Sequence, residues 1–413
     1  MDVLLEDGCV AALSERLENR ADTQVIDAAG LVVAPGFIDL HAHLREPGFE
    51  YKETIESGCR AAAEGGFTAV CCMPDTEPVN DDPSVTAFIL ERAEKAGLSR
   101  VYPIGALSEG LAGEELAEIG EMVAAGAVAV SDDHRPIGNA LLMRRGLEYA
   151  RSFDVTLAVH EEDVDLANGG SMHEGAVSTR IGLGGIPTSA EEVLVARDLL
   201  LAELTGGRLH LCHLSTTTGL DLVRVAKRRG LRVSCEVAAH QFALTDEDVA
   251  GAKYDPNWKT NPPMRGAAEV ESILQAIYDG TVDAIVSDHE PHHIDEKELD
   301  FSEAPFGIVG LETAVALALD RLIHGRVIGL TQLVRLMSTR PAEIFSLPGG
   351  TLREGAPADL TLLDLRLQRT VDPETFASRS RNTPFSGMRL RGWPVATIVG
   401  GEVVWQGGRF RSG

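Results

Sequence analysis

The sequence predicts an α/β protein: a TIM-type (β/α)8 barrel with a small β-sandwich domain built from both termini. Three observations lead there. Through the middle of the chain, short apolar and often β-branched runs alternate with helix-like stretches. The runs number eight, the count of a TIM barrel. The two ends lack this alternation and carry only short strand candidates separated by turn residues.

The barrel strands are expected at Phe37–Leu40, Thr68–Met73, Val101–Leu107, Ala127–Ser131, Val155–Val159, Arg208–Cys212, Leu231–Val237 and Val282–Ser287. Helices are expected between them at Glu53–Glu64, Val85–Ala96, Glu114–Ala125, Ala140–Arg151, Ala190–Leu204, Gly219–Arg229 and Ala267–Tyr278. Strands that alternate with helices are parallel and joined by crossovers. The alternative, an open doubly wound sheet, would carry GxGxxG after its first strand, and His41-Ala42-His43 stands there instead. At the ends, Val3–Glu6, Cys9–Leu13, Gln24–Asp27, Leu360–Asp364, Val395–Val399 and Glu402–Trp405 read as strands, broken by Gly400-Gly401 and Gly407-Gly408. Boundaries are expected at Ala34-Pro35 and Pro348-Gly349-Gly350, giving a barrel over 35–349 and a small β domain from 1–34 with 350–413.

Composition excludes several classes. A chain of 413 residues buries enough surface to need no disulfide staples. The formal net charge of −26 repels nucleic acid and anionic membrane. No apolar run reaches the roughly 18 residues that span a bilayer, and no basic leader precedes an apolar stretch. Cys9, Cys59, Cys71, Cys72, Cys212 and Cys235 form no CxxC pair, so they read as reduced residues of a cytoplasmic protein rather than a thiolate zinc site.

The chemistry gathers at the strand ends. His41 and His43 lie one residue apart where the first strand finishes, and residues i and i+2 of a strand face the same side. Two imidazoles aimed at one point suit a metal ion. Arg45, two residues on, offers a fixed positive charge to an anionic substrate group. Asp132-Asp133 ends strand four, His160 strand five, His213 strand six and Asp288 strand eight. In a TIM barrel these ends converge on one face. Four histidines and two carboxylates suffice for two metal ions, and nitrogen and carboxylate donors without thiolates suit zinc, with manganese or cobalt as alternatives.

These motifs resemble the dihydroorotases of the amidohydrolase superfamily, of the long bacterial type. The resemblance rests on PGFIDLHAHLREPGFEYKETIESG (35–58), GGFTAVCCMPDTEPV (65–79), AVSDDH (129–134), VHEEDV (159–164), LCHLST (211–216), KTNPPMR (259–265), SDHEPHH (287–293), APFGIVGLET (304–313) and GTLREGAPADLTLLDL (350–365). It implies a metal-dependent hydrolase barrel in which His41 and His43 hold one zinc ion, His160 and His213 the other, and Asp133 bridges them. Asp132 is then a turn or supporting acceptor. The resemblance also implies that Asp288 contacts the first metal and moves the proton, and that Arg45, Asp75, Asn261 and His292 surround the substrate. The implied reaction is reversible opening of the cyclic amide of dihydroorotate to N-carbamoyl-aspartate, the third step of pyrimidine synthesis. Alternatives are another cyclic amidohydrolase, of hydantoinase or allantoinase kind, and a non-catalytic partner of aspartate transcarbamoylase. Beyond a small-molecule substrate, the resemblance admits a homodimer and assembly with aspartate transcarbamoylase.

The chain departs from the family pattern at several positions. Asp75 replaces the asparagine of Met-Pro-Asn-Thr, and an ionised aspartate only accepts hydrogen bonds; it is expected to pair with Arg45 or to turn away. His134 replaces a glycine and is expected to face solvent. Glu290 stands where a small residue is usual and adds negative charge near the site. Val237-Ala238-Ala239-His240-Gln241 replaces a Val-Thr-Pro-His-His pattern. The chain begins about one strand later than its relatives, so the small β domain is expected to lack its first strand.

Overall fold

A computed structural model describes residues 1–18 and 23–411. In chain order the strands are β1 (Asp2–Glu6), β2 (Cys9–Ser14), β3 (Val32–Pro35), β4 (Phe37–Ala42), β5 (Phe67–Cys72), β6 (Arg100–Gly105), β7 (Ala129–Val130), β8 (Thr156–Val159), β9 (Met172–His173), β10 (Gly185–Ile186), β11 (Arg208–Leu211), β12 (Val233–Ala238), β13 (Ala284–Val286), β14 (Leu360–Thr370), β15 (Arg389–Val399), β16 (Glu402–Gln406) and β17 (Arg409–Phe410). Strands β4 to β8 and β11 to β13 form one eight-stranded parallel sheet, each paired with its sequence neighbour. Its edges meet where His43 N donates to His289 O at 2.8 Å and Ala42 bridges His289, which nearly closes the predicted barrel.

Burial explains why these runs become barrel strands. Every residue of β4, β5, β8, β12 and β13 is buried, as expected of parallel strands covered on both faces. Small side chains such as Ala69, Ala129, Ala158, Ala238 and Ala284 pack with Ile38, Ile104 and Phe345. Thr156 Oγ1 at the start of β8 donates to Ile344 O, so this segment covers the N-terminal strand ends. The opposite end is left for chemistry.

The helices follow local signals. Thr54 caps the first barrel helix, Ile55–Glu64, in a reciprocal capping box with Ser57. The helix starts two residues later than expected because Glu53 is drawn off to His289, Ser378 and Ser57. The helix expected over Glu114–Ala125 covers only Ile119–Ala125. Its first part is extended instead, with Leu116 bridging Ser108 and Ala117 N donating to Leu107 O.

The termini build a separate antiparallel sheet ordered β17-β16-β15-β14-β3, and the β1–β2 hairpin packs Val3 and Leu5 against its Ala358, Leu360 and Ile398 core. The strand expected at Gln24–Asp27 does not form. Asp27 accepts from Ala29 N, and Val32–Pro35 pairs with Leu360–Leu363 in its place. Only Gly36 separates β3 from β4, where any Cβ would lie 2.1 Å from the Thr68 hydroxyl. Residues 377–385 leave this sheet and return to the barrel face: Asn382 Nδ2 donates to Glu290 O at 2.9 Å and to Gly307 O at 3.1 Å.

Candidate active site

Each predicted ligand leaves its strand at the same barrel end, and several do so with unusual backbone. Asp133, His213 and Asp288 hold φ at 36°, 32° and 50°, and Arg45 at 61°. Left-handed backbone costs a non-glycine residue about 1–3 kcal/mol and survives where packing enforces it. Here it turns the chain sharply as the strands finish.

The side chains converge in a fully buried cluster. His41 Nε2 lies 3.2 Å from Asp133 Oδ1, and His43 Nε2 lies 3.4 Å from Asp133 Oδ2. Asp288 Oδ1 is 3.7 Å from His41 Nε2. His160 Nδ1 and His213 Nε2 are 3.1 Å apart. His41, Asp133 and His213 offer ligand atoms within 4.8 Å of one another, and so do His41, His43 and Asp288. His41 Nε2, His43 Nε2, His160 Nε2, His213 Nδ1 and both Asp133 oxygens are buried without hydrogen-bond partners. Buried polar atoms are nearly always paired. His41 Nε2, His43 Nε2 and the two Asp133 oxygens face one another across one centre, His213 joins them, and His160 stands against His213. Unpaired donors of these types fit divalent metal.

Outer carboxylates orient the two strand-one imidazoles. His41 Nδ1 meets Glu236 Oε1 at 3.0 Å, and His43 Nδ1 meets Asp75 Oδ1 at 2.8 Å. A carboxylate accepts, so each Nδ1 carries the proton and each Nε2 lone pair faces Asp133. Glu236 also takes His210 Nε2 at 2.9 Å, and His210 Nδ1 meets Ser234 Oγ at 2.8 Å. Glu236 and His210 escaped the sequence reading, although a charged residue inside the apolar run Val233–Ala238 was a visible signal. Asp132 supports the loop: its Oδ1 accepts from Leu107 N and Ser108 N at 2.8 and 2.9 Å.

Burial and neighbouring charge set the protonation states. Burial opposes charge on Asp133, but His134, His41 and His43 hold its carboxyl well below the ordinary range. Burial likewise opposes charge on His41, and Asp133 and Glu236 outweigh it and draw this imidazole upward. Burial dominates at Asp288 and pushes its carboxyl to about 7, aided by Glu290 and Asp133 and opposed by His41. A carboxyl poised near neutrality can both accept and release a proton.

Beside this cluster, Arg45 is fully engaged. Its Nη1 donates to Asp75 Oδ2 at 2.5 Å, its Nη2 to Glu290 Oε1 at 3.1 Å and its Nε to Pro291 O at 3.2 Å. Asp75 therefore pairs with Arg45 rather than turning away, while its other oxygen holds His43. His292 Nε2 lies 3.1 Å from Glu290 Oε1. Asn261 Oδ1 is buried without a partner. His134 does not simply face solvent. Its ring stacks on His43 with centroids 4.6 Å apart, and its Nε2 lies 3.3 Å from Glu290 Oε1. The three departures from the family pattern, Asp75, His134 and Glu290, thus meet around one arginine.

Comparisons with known proteins bear on the fold and the family. A family model described as "Dihydro-orotase-like" matches residues 30–218, and one described as "Amidohydrolase family" matches residues 305–405. A dihydroorotase from Anaeromyxobacter dehalogenans is 53% identical over 409 residues, 98% of this chain and 94% of that protein. One from Syntrophotalea carbinolica is 50% identical over 405 residues, again 98% and 94%. Among solved structures, an L-hydantoinase (dihydropyrimidinase) from Arthrobacter aurescens superposes with a TM-score of 0.89 at 27% identity, covering 99% of this chain and 93% of that one. A D-hydantoinase (dihydropyrimidinase) from a Thermus species gives 0.85 at 26% identity, covering 100% and 93%. Barrel, site and matches define the class: a hydrolase of the amidohydrolase superfamily that acts on cyclic amides. Within that class, the chain belongs to the dihydroorotase family.

Proposed function

We propose that the chain is a zinc-dependent dihydroorotase that reversibly hydrolyses dihydroorotate to N-carbamoyl-aspartate, in the third step of pyrimidine synthesis. The observation that carries the reading is the group of buried, unpartnered ligand atoms that His41 and His43 present to Asp133, with His213 beside them. His41, His43, Asp133, His160, His213 and Asp288 would hold two divalent cations, and their nitrogen and oxygen donors suit zinc. Bound there, the cations supply water activation at neutral pH and polarisation of the amide carbonyl.

The chain's own residues do the rest. Glu236 and Asp75 fix the His41 and His43 rings so that Nε2 of each faces the centre. Asp288, with its carboxyl near 7, takes the proton of the attacking water and delivers it to the departing ring nitrogen. In the reverse direction it takes the proton of the attacking ureido nitrogen and delivers it to the departing hydroxide, which leaves as water. Arg45 and His292 receive the ring carboxylate, and Asn261 Oδ1 accepts a ring N–H. The catalytic unit is residues 35–349, with 1–34 and 350–413 as the small β domain. Free cysteines throughout the described residues favour a cytoplasmic enzyme. A second reading, hydrolysis of a neutral ring such as a hydantoin, draws on Asp75 and Glu290, which place two carboxylates on Arg45.

The test is reconstitution with zinc followed by metal analysis and an assay on dihydroorotate. The expected result is two zinc ions per chain and turnover. Retained zinc without turnover would sink the dihydroorotase reading. Failure to retain any metal after reconstitution would sink the metal reading.

A further inference from the structure

Glu290 sits in a seat built for a carboxylate. A single oxygen, Oε1, faces Arg45 Nη2 at 3.1 Å, His292 Nε2 at 3.1 Å and His134 Nε2 at 3.3 Å. Three nitrogens on one oxygen is the arrangement expected of an anion-binding pocket. Two of them, Arg45 and His292, are the groups read above as receivers of the substrate's carboxylate. The side chain is nine-tenths buried, so this contact is little screened by water.

The opposite side of Glu290 is shaped to admit it. Gly307 has φ at +116°, and a Cβ built there would fall 2.2 Å from Glu290 Oε2. No other residue would leave room for the carboxylate. The backbone at 290 is fixed from both sides, since Glu290 N donates to Ile308 O at 2.7 Å and Glu290 O accepts from Asn382 Nδ2 at 2.9 Å. Release of the seat is therefore a matter of side-chain torsions alone.

Asp75 provides the contrast. It also pairs with Arg45, but its second oxygen holds His43 Nδ1 at 2.8 Å, so moving it would disturb a proposed metal ligand. The nitrogen partners of Glu290 all belong to the pocket, and none of its contacts fixes a ring around Asp133 through Nδ1. An incoming anionic ring would find both terminal nitrogens of Arg45 occupied and would face two like charges. It must displace one of them, and Glu290 is the one free to leave.

We propose that Glu290 is an internal occupant of the substrate-carboxylate seat, competing with an anionic cyclic amide for Arg45 and His292 and setting how tightly such a ring binds. This rests on the reading of Arg45 and His292 as carboxylate receivers. Glu290 is a specificity-determining residue here, not a catalytic one.

The experiment titrates orotate, a planar ring with the same carboxylate whose amide carbonyl is conjugated to a ring double bond and so resists opening, into zinc-loaded wild type, E290Q and E290A by calorimetry. Uracil, the same ring without the carboxylate, serves as the control for fold and for the rest of the pocket. Removing the competing charge should tighten orotate by about tenfold or more in both variants, with uracil unchanged across the three proteins. Orotate binding that is equal or weaker in the variants overturns the proposal alone, because Glu290 would then position Arg45 rather than compete for it. Orotate binding to none of the three, while uracil binds, overturns the proposal together with the carboxylate-receiving reading.

Discussion

The two halves of the site treat their polar atoms in opposite ways. Around Asp133, the Nε2 atoms of His41 and His43 face the two carboxylate oxygens, and all four are buried with no hydrogen-bond partner. Around Arg45, a few ångströms away, the guanidinium is taken up by Asp75, Glu290 and the Pro291 carbonyl. A fold can leave a single buried side chain unpaired, as at His240, but rarely leaves several side by side. The open half is therefore preorganised for something that arrives afterwards, and its donor types say what. The closed half is satisfied before substrate comes, so binding there is an exchange of one carboxylate for another. One half presents unpaired donors of metal-binding type, and the other holds an arginine already paired with two carboxylates.

The largest effect should come from the residue shared by the whole open half. Asp133→Asn is expected to cut kcat by about 10⁴-fold, the loss of several kcal/mol of charge stabilisation, and to lower bound metal measured by elemental analysis. An unchanged metal content would show that the orphaned atoms are not a ligand set. Asp288→Asn should cost about 10³-fold in kcat, as for a general acid–base group. Metal retention should fall less than for Asp133→Asn, and the pH–rate profile should lose the limb that this carboxyl supplies. A preserved limb would assign the proton transfer to another group.

Glu236→Gln reaches the open half through His41. Loss of an outer carboxylate should weaken zinc by about 10- to 100-fold in a competitive chelator titration; unaltered affinity would mean that packing alone orients the ring. A prediction on stability rather than activity sharpens the comparison from outside. His240 is also buried with both ring nitrogens unpartnered, but no cluster surrounds it. Burial alone lowers its pKa from 6.5 to about 4. Between those values the unfolded chain binds more protons than the folded one. Its contribution to stability is thus intact above 6.5 and is lost as pH falls to 4, by about 3 kcal/mol. His240→Leu should flatten that part of the pH dependence of urea unfolding, and a slope equal to wild type would show that His240 protonates without cost.

The barrel was legible because eight apolar, often β-branched runs alternate with helical stretches, and five of them end in a chemically capable residue. Phe37–Leu40 followed by His41 is a local pattern that needs no tertiary knowledge. His41, His43, Asp133, His213 and Asp288 lie close together because each stands where a strand finishes on the same barrel face. What escaped depends on distant partners. Gln24–Asp27 looks like a strand, yet Val25 is 65% exposed, and the pairing to Leu360–Leu363 goes to Val32–Pro35 more than 300 residues away in sequence. Glu236 reads as a blemish in a strand until His41 and His210 are seen on either side of it. Asn382 lies in a stretch with no motif and acts at the site only because residues 377–385 fold back onto the barrel. His134 and Glu290 were visible as oddities, but their meeting at Arg45 is a property of the fold.

The central claim, that an open metal half serves an anion-selecting half, is tested most directly by comparing turnover of dihydroorotate with that of dihydrouracil. The two rings differ only by the carboxylate, and both should be assayed on the same zinc-loaded protein. The account predicts that kcat/KM for dihydroorotate exceeds that for dihydrouracil by at least about 100-fold, the scale of a charge-assisted contact made by Arg45. Equal turnover, or preference for dihydrouracil, would contradict it and would make Asp75 and Glu290 the mark of a neutral substrate.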